Sequence, residues 1–169
     1  VSDFAIPADG GFVLVTHLGG APEAREGMGP IGPLAGNLSS AAADGTLTPI
    51  ADLATWEAEN NPDAADPGSA VDSNPYGVAL AADGSYLVAE AAGNDILSVA
   101  ADGTVSLLGV LHAQFVPAPM DPTASPAPDP NASPMMMPMQ AVPTSAIVGP
   151  DGALYVSQLT GFPFPVGGS

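Results

Sequence analysis

The chain has 169 residues and a formal net charge of −17, with one basic residue, Arg25, against 18 carboxylates. That sign repels phosphate backbones and anionic lipid, so nucleic acid and membrane surfaces are excluded as expected partners, and no apolar run approaches the ~18 residues of a bilayer span. Cysteine is absent, which excludes disulfides and thiol chemistry, while 46% apolar residues, 20 glycines and 20 prolines suit one domain of short strands and turns.

Residues 1–20 read as a first pair of strands. A glycine-rich excursion, GGAPEAREGMGPIGPLAGNL (19–38), follows, with one helical turn predicted at 21–26; it lacks G-K-[ST] and is no phosphate loop. Residues 38–42 and 47–50 form a hairpin around Asp44-Gly45. LATWEAEN (53–60) is the best helix candidate, stopped by Asn61-Pro62, and its Trp56 is expected to pack on the sheet rim. Residues 62–73 make an acidic loop. Its Asp63, Asp66 and Asp72 lack the EF-hand rhythm and are predicted to be solvated.

The clearest stretch is 74–111. Four apolar runs, 77–80, 86–89, 96–100 and 105–110, are separated by Asp83-Gly84, Gly93-Asn94-Asp95 and Asp102-Gly103. Such pairs tolerate the positive φ of tight turns, and none of the runs has helical spacing. Residues 115–143 hold nine prolines and PMMMPM, and show no strand pattern; a polyproline-like excursion over the surface is predicted there. Residues 142–156 restart the strand pattern, and GFPFPVGGS follows.

The pattern repeats. DFAIPADG (3–10), GVALAADG (77–84) and SAIVGPDG (145–152) align without gaps, and FVLVTHLGG, YLVAEAAGN and LYVSQLTGF follow them. Thr16, Glu90 and Gln158 fall at one equivalent place, with His17 one step later. Four up-and-down strands in about 40 residues is the size of one propeller blade. The predicted fold is therefore all-β: a single partial β-propeller with four-stranded blades. It divides into a blade with long insertions (1–73), the best-defined blade (74–113), a Pro/Met-rich loop (114–142) and the start of the next blade (143–169). About two and a half blades cannot close a ring. The expected partners are other blades of a longer chain or, failing that, neighbouring copies.

LVAEAAGNDILSVAADGTV resembles the repeat of six-bladed NHL-type propellers. VTHLGGAPEAREGMGPIGPLAGNL, ADLATWEAENNPDAADPGSAVDSNPYGVAL, FVPAPM and PMQAVPTSAIVGPDGALYVSQLTGFPFPVGG together resemble the ScyD/ScyE family, propeller proteins named after the scytonemin pigment clusters of cyanobacteria. The resemblance covers nearly the whole chain. It implies a secreted, extracellular or periplasmic six-bladed propeller more than twice this length, with no established activity for the family as a whole. DPTASPAPDPNASP (121–134) lengthens one loop beyond the family pattern.

The best candidate site is Asp72-Ser73-Asn74-Pro75-Tyr76-Gly77, leading into the first strand of a blade. By resemblance to lactonase-like six-bladed propellers, which hold a divalent metal in the central channel, Asp72 and Asn74 with Glu90 and Gln158 would be the metal ligands, and their oxygens suit Ca²⁺. The alternative is a turn in which Asp72 and Asn74 cap their own backbone. Tyr76 and His17 are the ligand-binding candidates. His17 and His112 have no H-x-x-x-H spacing and are not read as metal ligands. Met135, Met136, Met137 and Met139 are read as covering apolar surface rather than binding Cu(I). No G-x-S-x-G or Ser-His-Asp order is present. The expectation is a secreted binding or scaffold protein. Its alternatives are a metal-dependent lactonase- or lyase-like enzyme and a subunit of an extracellular assembly or filament.

Overall fold

Four Asp-Gly turns set the strand boundaries. In each, an aspartate Oδ1 accepts a hydrogen bond from the backbone N–H two residues on: Asp44 from Thr46 (2.9 Å), Asp83 from Ser85 (3.0 Å), Asp102 from Thr104 (3.0 Å) and Asp151 from Ala153 (3.1 Å). The glycine that follows takes φ between 79° and 87°, a conformation open to a residue without Cβ. The same local chemistry therefore makes the same tight connection four times.

The protein is described by a computed structural model covering residues 1–8, 10–119, 129, 131 and 133–164. Its architecture is all-β, with four antiparallel sheets. The first is a meander of β1 (Asp3–Ala5), β2 (Phe12–Val15), β3 (Asn37–Ala41) and β4 (Leu47–Asp52). The second is a meander of β5 (Pro75–Leu80), β6 (Tyr86–Glu90), β7 (Asp95–Val99) and β8 (Val105–Val110). Strands β9 (Gln114–Pro117) and β10 (Met136–Met139) pair with each other, as do β11 (Pro143–Val148) and β12 (Leu154–Gln158). A 3-10 segment, Pro22–Leu34, broken at Gly29, joins β2 to β3, and α1 (Leu53–Asn60) follows β4.

The repeats align in register as well as in sequence. Asp3 pairs with Val15, Gly77 with Ala89 and Ser145 with Ser157. A bulge lies between Pro75 and Gly77, and again between Pro143 and Ser145. In both meanders the third and fourth strands slip at the same place, between Leu38 and Ser39 and between Ile96 and Leu97. Asn37 and Asp95, at the starts of the third strands, are thus equivalent.

The sheets stack with one polarity. Val13, Val15 and Leu38 of the first pack on Val78, Tyr86, Val88, Leu97 and Val99 of the second. The opposite face of the second, through Ala89 and Ile96, packs on Ala146 and Val156 of the third pair. Between neighbours the first strands touch: Asp3 Oδ2 accepts from the Val78 N–H at 3.0 Å, and at Gly77 an added Cβ would collide with the Thr144 carbonyl of β11.

Two expectations are corrected. Residues 115–143 are not simply a polyproline-like excursion, because both ends of that stretch enter a strand pair in which Phe115 lies opposite Pro138. Strand residues at an edge tolerate proline when its missing N–H faces away from the partner, which hides such strands from pattern reading. Its central residues, including most of 121–134, lie outside the described set, as do 165–169. The single helical turn predicted near Arg25 is instead the longer 3-10 segment.

Candidate functional site

Asp72-Ser73-Asn74 is a structural junction. The Ser73 backbone bridges to Gly19 and Gly20 of the first sheet's loop, accepting from Gly19 N–H at 2.8 Å and donating to Gly20 O at 3.1 Å. Beneath it the buried Glu90 carboxylate acts as a latch. Oε1 accepts from Ser73 Oγ (2.9 Å) and from the Asn74 N–H; Oε2 accepts from Ala92 N–H (3.0 Å) and Gly93 N–H (2.7 Å). Burial nonetheless pushes the Glu90 carboxyl from the usual 4.5 to about 7, against the lowering effect of those four bonds.

Around this latch sits a cluster of acidic side chains. α1 begins where Asp52 Oδ1 accepts from the Thr55 N–H (3.0 Å) and ends at Asn61, which takes a left-handed conformation. The helix points Glu57 inward, and the residue is fully buried. Its carboxylate lies over Gly93, where a Cβ would sit 2.9 Å from Glu57 Cδ. Asp95 is fully buried at the start of β7. Asp63 is 1% exposed and is held by Asn94, whose Nδ2 donates to Oδ2 at 2.9 Å.

Both oxygens of Glu57, both of Asp95, and one each of Asp63, Asp72 and Asn61 are buried without a hydrogen-bond partner. Buried unpartnered oxygens of this kind are rare and costly. Burial, then the negative charges of Glu90, Asp63 and Asp72, push Glu57 up to about 8. Burial, then Glu57, Glu90 and Asp63, push Asp95 to about 9. Burial also raises Asp63, against the bond from Asn94, and it raises Asp72.

The first sheet solves the equivalent problem differently. Thr16, in the place of Glu90, bonds through Oγ1 to the Leu34 and Asn37 carbonyls. Beside Asn37 lies Arg25: its guanidinium donates to Asp52 at 2.9 and 2.5 Å, to Asn37 Oδ1 at 3.3 Å and to Ala35 O at 2.9 Å. Burial would raise Asp52, but Arg25 and Thr55 outweigh it and hold the carboxyl below 3.8.

Of the residues singled out from sequence, Asp72, Asn74 and Glu90 meet at this junction, with Asn74 contributing its backbone N–H. Gln158 lies opposite Pro143 in the third pair, at the register position Glu90 holds opposite Pro75. Among the described residues, no group of three or more His, Cys, Asp or Glu side chains is gathered to hold a metal ion. Tyr76 is 46% exposed on β5. His17 is exposed and borders a cavity of about 200 Å³ whose lining includes Met28, Ile31, Leu34 and Ala35. His112 is a surface residue 3.1 Å from Asp66, which also accepts from the Ala113 N–H. The acidic loop is not solvated throughout as expected, since Asp63 is buried. Sequence reading missed Glu57 and Asp95, because an acid within a short helix or beside a Gly-Asn turn ordinarily faces water. The one signal was the lack of any basic residue to pair with them.

Among the described residues, no helix is long and apolar enough to cross a membrane. Comparison with family models, curated proteins and solved structures finds no match.

Proposed function

We propose that this chain is part of a β-propeller of the NHL-like, ScyD/ScyE type, a secreted or periplasmic binding and scaffold protein whose two four-stranded meanders are successive blades. The observation that carries the reading is the uniform polarity of stacking. Each sheet offers the face containing its Gly77-type position to the next sheet's Val78-type face. Such a series has two unlike free faces. One carries Phe4 and Phe12, 55% and 50% exposed and edge to face at 5.6 Å. The other carries Ile147 and Tyr155, 53% and 54% exposed.

Unlike faces repeated head to tail generate rings or filaments, and exposed apolar area of this kind marks an interface. Other blades of a longer chain would cover both faces; copies of this chain would cover them in an extracellular assembly. Either occupant predicts that the 169-residue chain self-associates at micromolar concentration. Light scattering checks this: Phe4→Asp or Ile147→Asp should each return it to monomer. A chain that stays monomeric, or associates equally well with both substitutions, would overturn the reading.

A further inference from the structure

We propose that the unpartnered oxygens of Glu57, Asp95 and Asp63, with Asn61 and Asp72 at the margin, form a Ca²⁺ site tying α1 to the β6–β7 turn. The site is distinct from the Asp72, Asn74, Glu90 and Gln158 set expected from sequence, and it does not depend on the propeller reading. Three observations converge on it. The first is the set of oxygens without partners, at least two of the side chains being fully buried. Glu90, by contrast, has both oxygens filled by hydrogen bonds and acts only as the wall.

The second is Gly93. Its missing Cβ leaves the space in which the Glu57 carboxylate lies. The third is the internal comparison. At the register-equivalent place in the first sheet, Asn37 and Asp52 surround a built-in cation, Arg25. Asp95 holds the corresponding position in the second sheet, and the chain has no other Lys or Arg to serve it.

The chemistry selects the ion. The donors are hard oxygens from carboxylates and one side-chain amide, with no nitrogen or sulfur. Ca²⁺ takes 6–8 such ligands at irregular geometry, whereas Mg²⁺ demands a tight octahedron. The acidic side chains are not already drawn together at ligand spacing, so binding includes contraction of these side chains onto the ion.

Trp56, next to Glu57 and the only tryptophan, supplies the readout. At physiological ionic strength, Tb³⁺ titrated into the chain is expected to give Trp-sensitised emission that Ca²⁺ displaces and Mg²⁺ does not. Saturating Ca²⁺, about 100-fold above Kd, should raise the Tm by roughly 5–10 °C. Glu57→Gln and Asp95→Asn remove charge without changing shape, so both variants should fold, and each should weaken Ca²⁺ binding at least ten-fold. Asp102→Asn, on an exposed turn, should leave binding unchanged. The proposal is overturned if Ca²⁺ gives no shift, as buried carboxyls that simply retain protons would require. It is equally overturned if Glu57→Gln and Asp95→Asn respond like the parent, which would assign the ion to surface carboxylates.

Discussion

Glu90 shows how one side chain stands in for missing backbone pairing. Asn74 precedes β5, and Ala92 and Gly93 lie in the turn after β6, so their N–H groups have no strand partner at this point; a single carboxylate collects them together with the Ser73 hydroxyl. Glu90→Gln keeps the shape but replaces one acceptor oxygen by a donor. Ser73 Oγ can reverse its bond, but the Asn74 N–H cannot, so at least one buried donor is orphaned. The expected loss is about 1–3 kcal/mol in urea denaturation. A neutral result would show that the charge itself, among so many acids, costs as much as its bonds return.

Asp52 carries a second residue-scale prediction. It caps α1 and pairs with Arg25, and its carboxyl is held below 3.8 in the folded chain. The unfolded chain therefore takes up the proton first as pH falls. The stabilisation from this pair is complete above 3.8 and is lost as pH drops through the lower folded value. Asp52 is 44% exposed, so solvent screening limits the pair to about 1 kcal/mol, and the cap contributes about 1 kcal/mol more. Asp52→Asn keeps most of the cap. Its deficit relative to the parent should be present at pH 6 and should shrink as pH falls from 3.8 through the lowered folded value. A deficit independent of pH would assign Asp52 to capping alone.

At the scale of elements, what was legible followed from local chemistry. Asp-Gly dipeptides mark turns because the aspartate and the glycine make them without help from the rest of the chain, and the observed turns at Asp44, Asp83, Asp102 and Asp151 behave alike. α1 matches its predicted bounds at Leu53–Asn60 because an N-cap aspartate and Asn61-Pro62 define both ends. The strand pair β9–β10 was illegible: Pro117 and Pro138 break the usual strand composition, and about twenty residues of other character separate its halves in sequence. The Pro22–Leu34 segment was underestimated for a related reason. Its two internal prolines and its three glycines, Gly27, Gly29 and Gly32, argue against an α-helix, and 3-10 turns leave little trace in periodicity. The acidic cluster was illegible because it is assembled from α1, the following loop and the β6–β7 turn, and no sequence pattern joins those three.

For the whole molecule, the claim that matters is that the sheets are separate bodies joined by close approach of their first strands, and Gly77 tests it. Gly77 lies at the β5 bulge, and a Cβ there would meet the Thr144 carbonyl and sit 3.0 Å from Ser145 Cα. Backbone atoms cannot rotate away as the end of a side chain can. Gly77→Ala must therefore push β11 off β5, opening the contact of Ala146 with Ala89 and Ile96. Overpacking of this kind costs about 1–3 kcal/mol. The cost should be localised, because the Val13–Leu38 to Val88–Val99 core lies on the other face of the second sheet. Hydrogen exchange should rise across residues 143–158 and stay unchanged in β2 and β3. Gly109→Ala is the control, since nothing lies within 4 Å of its added Cβ; it should leave exchange unaltered throughout. Uniformly faster exchange in Gly77→Ala would mean that the sheets unfold as one unit, and a stacked series of semi-independent sheets would no longer describe the molecule.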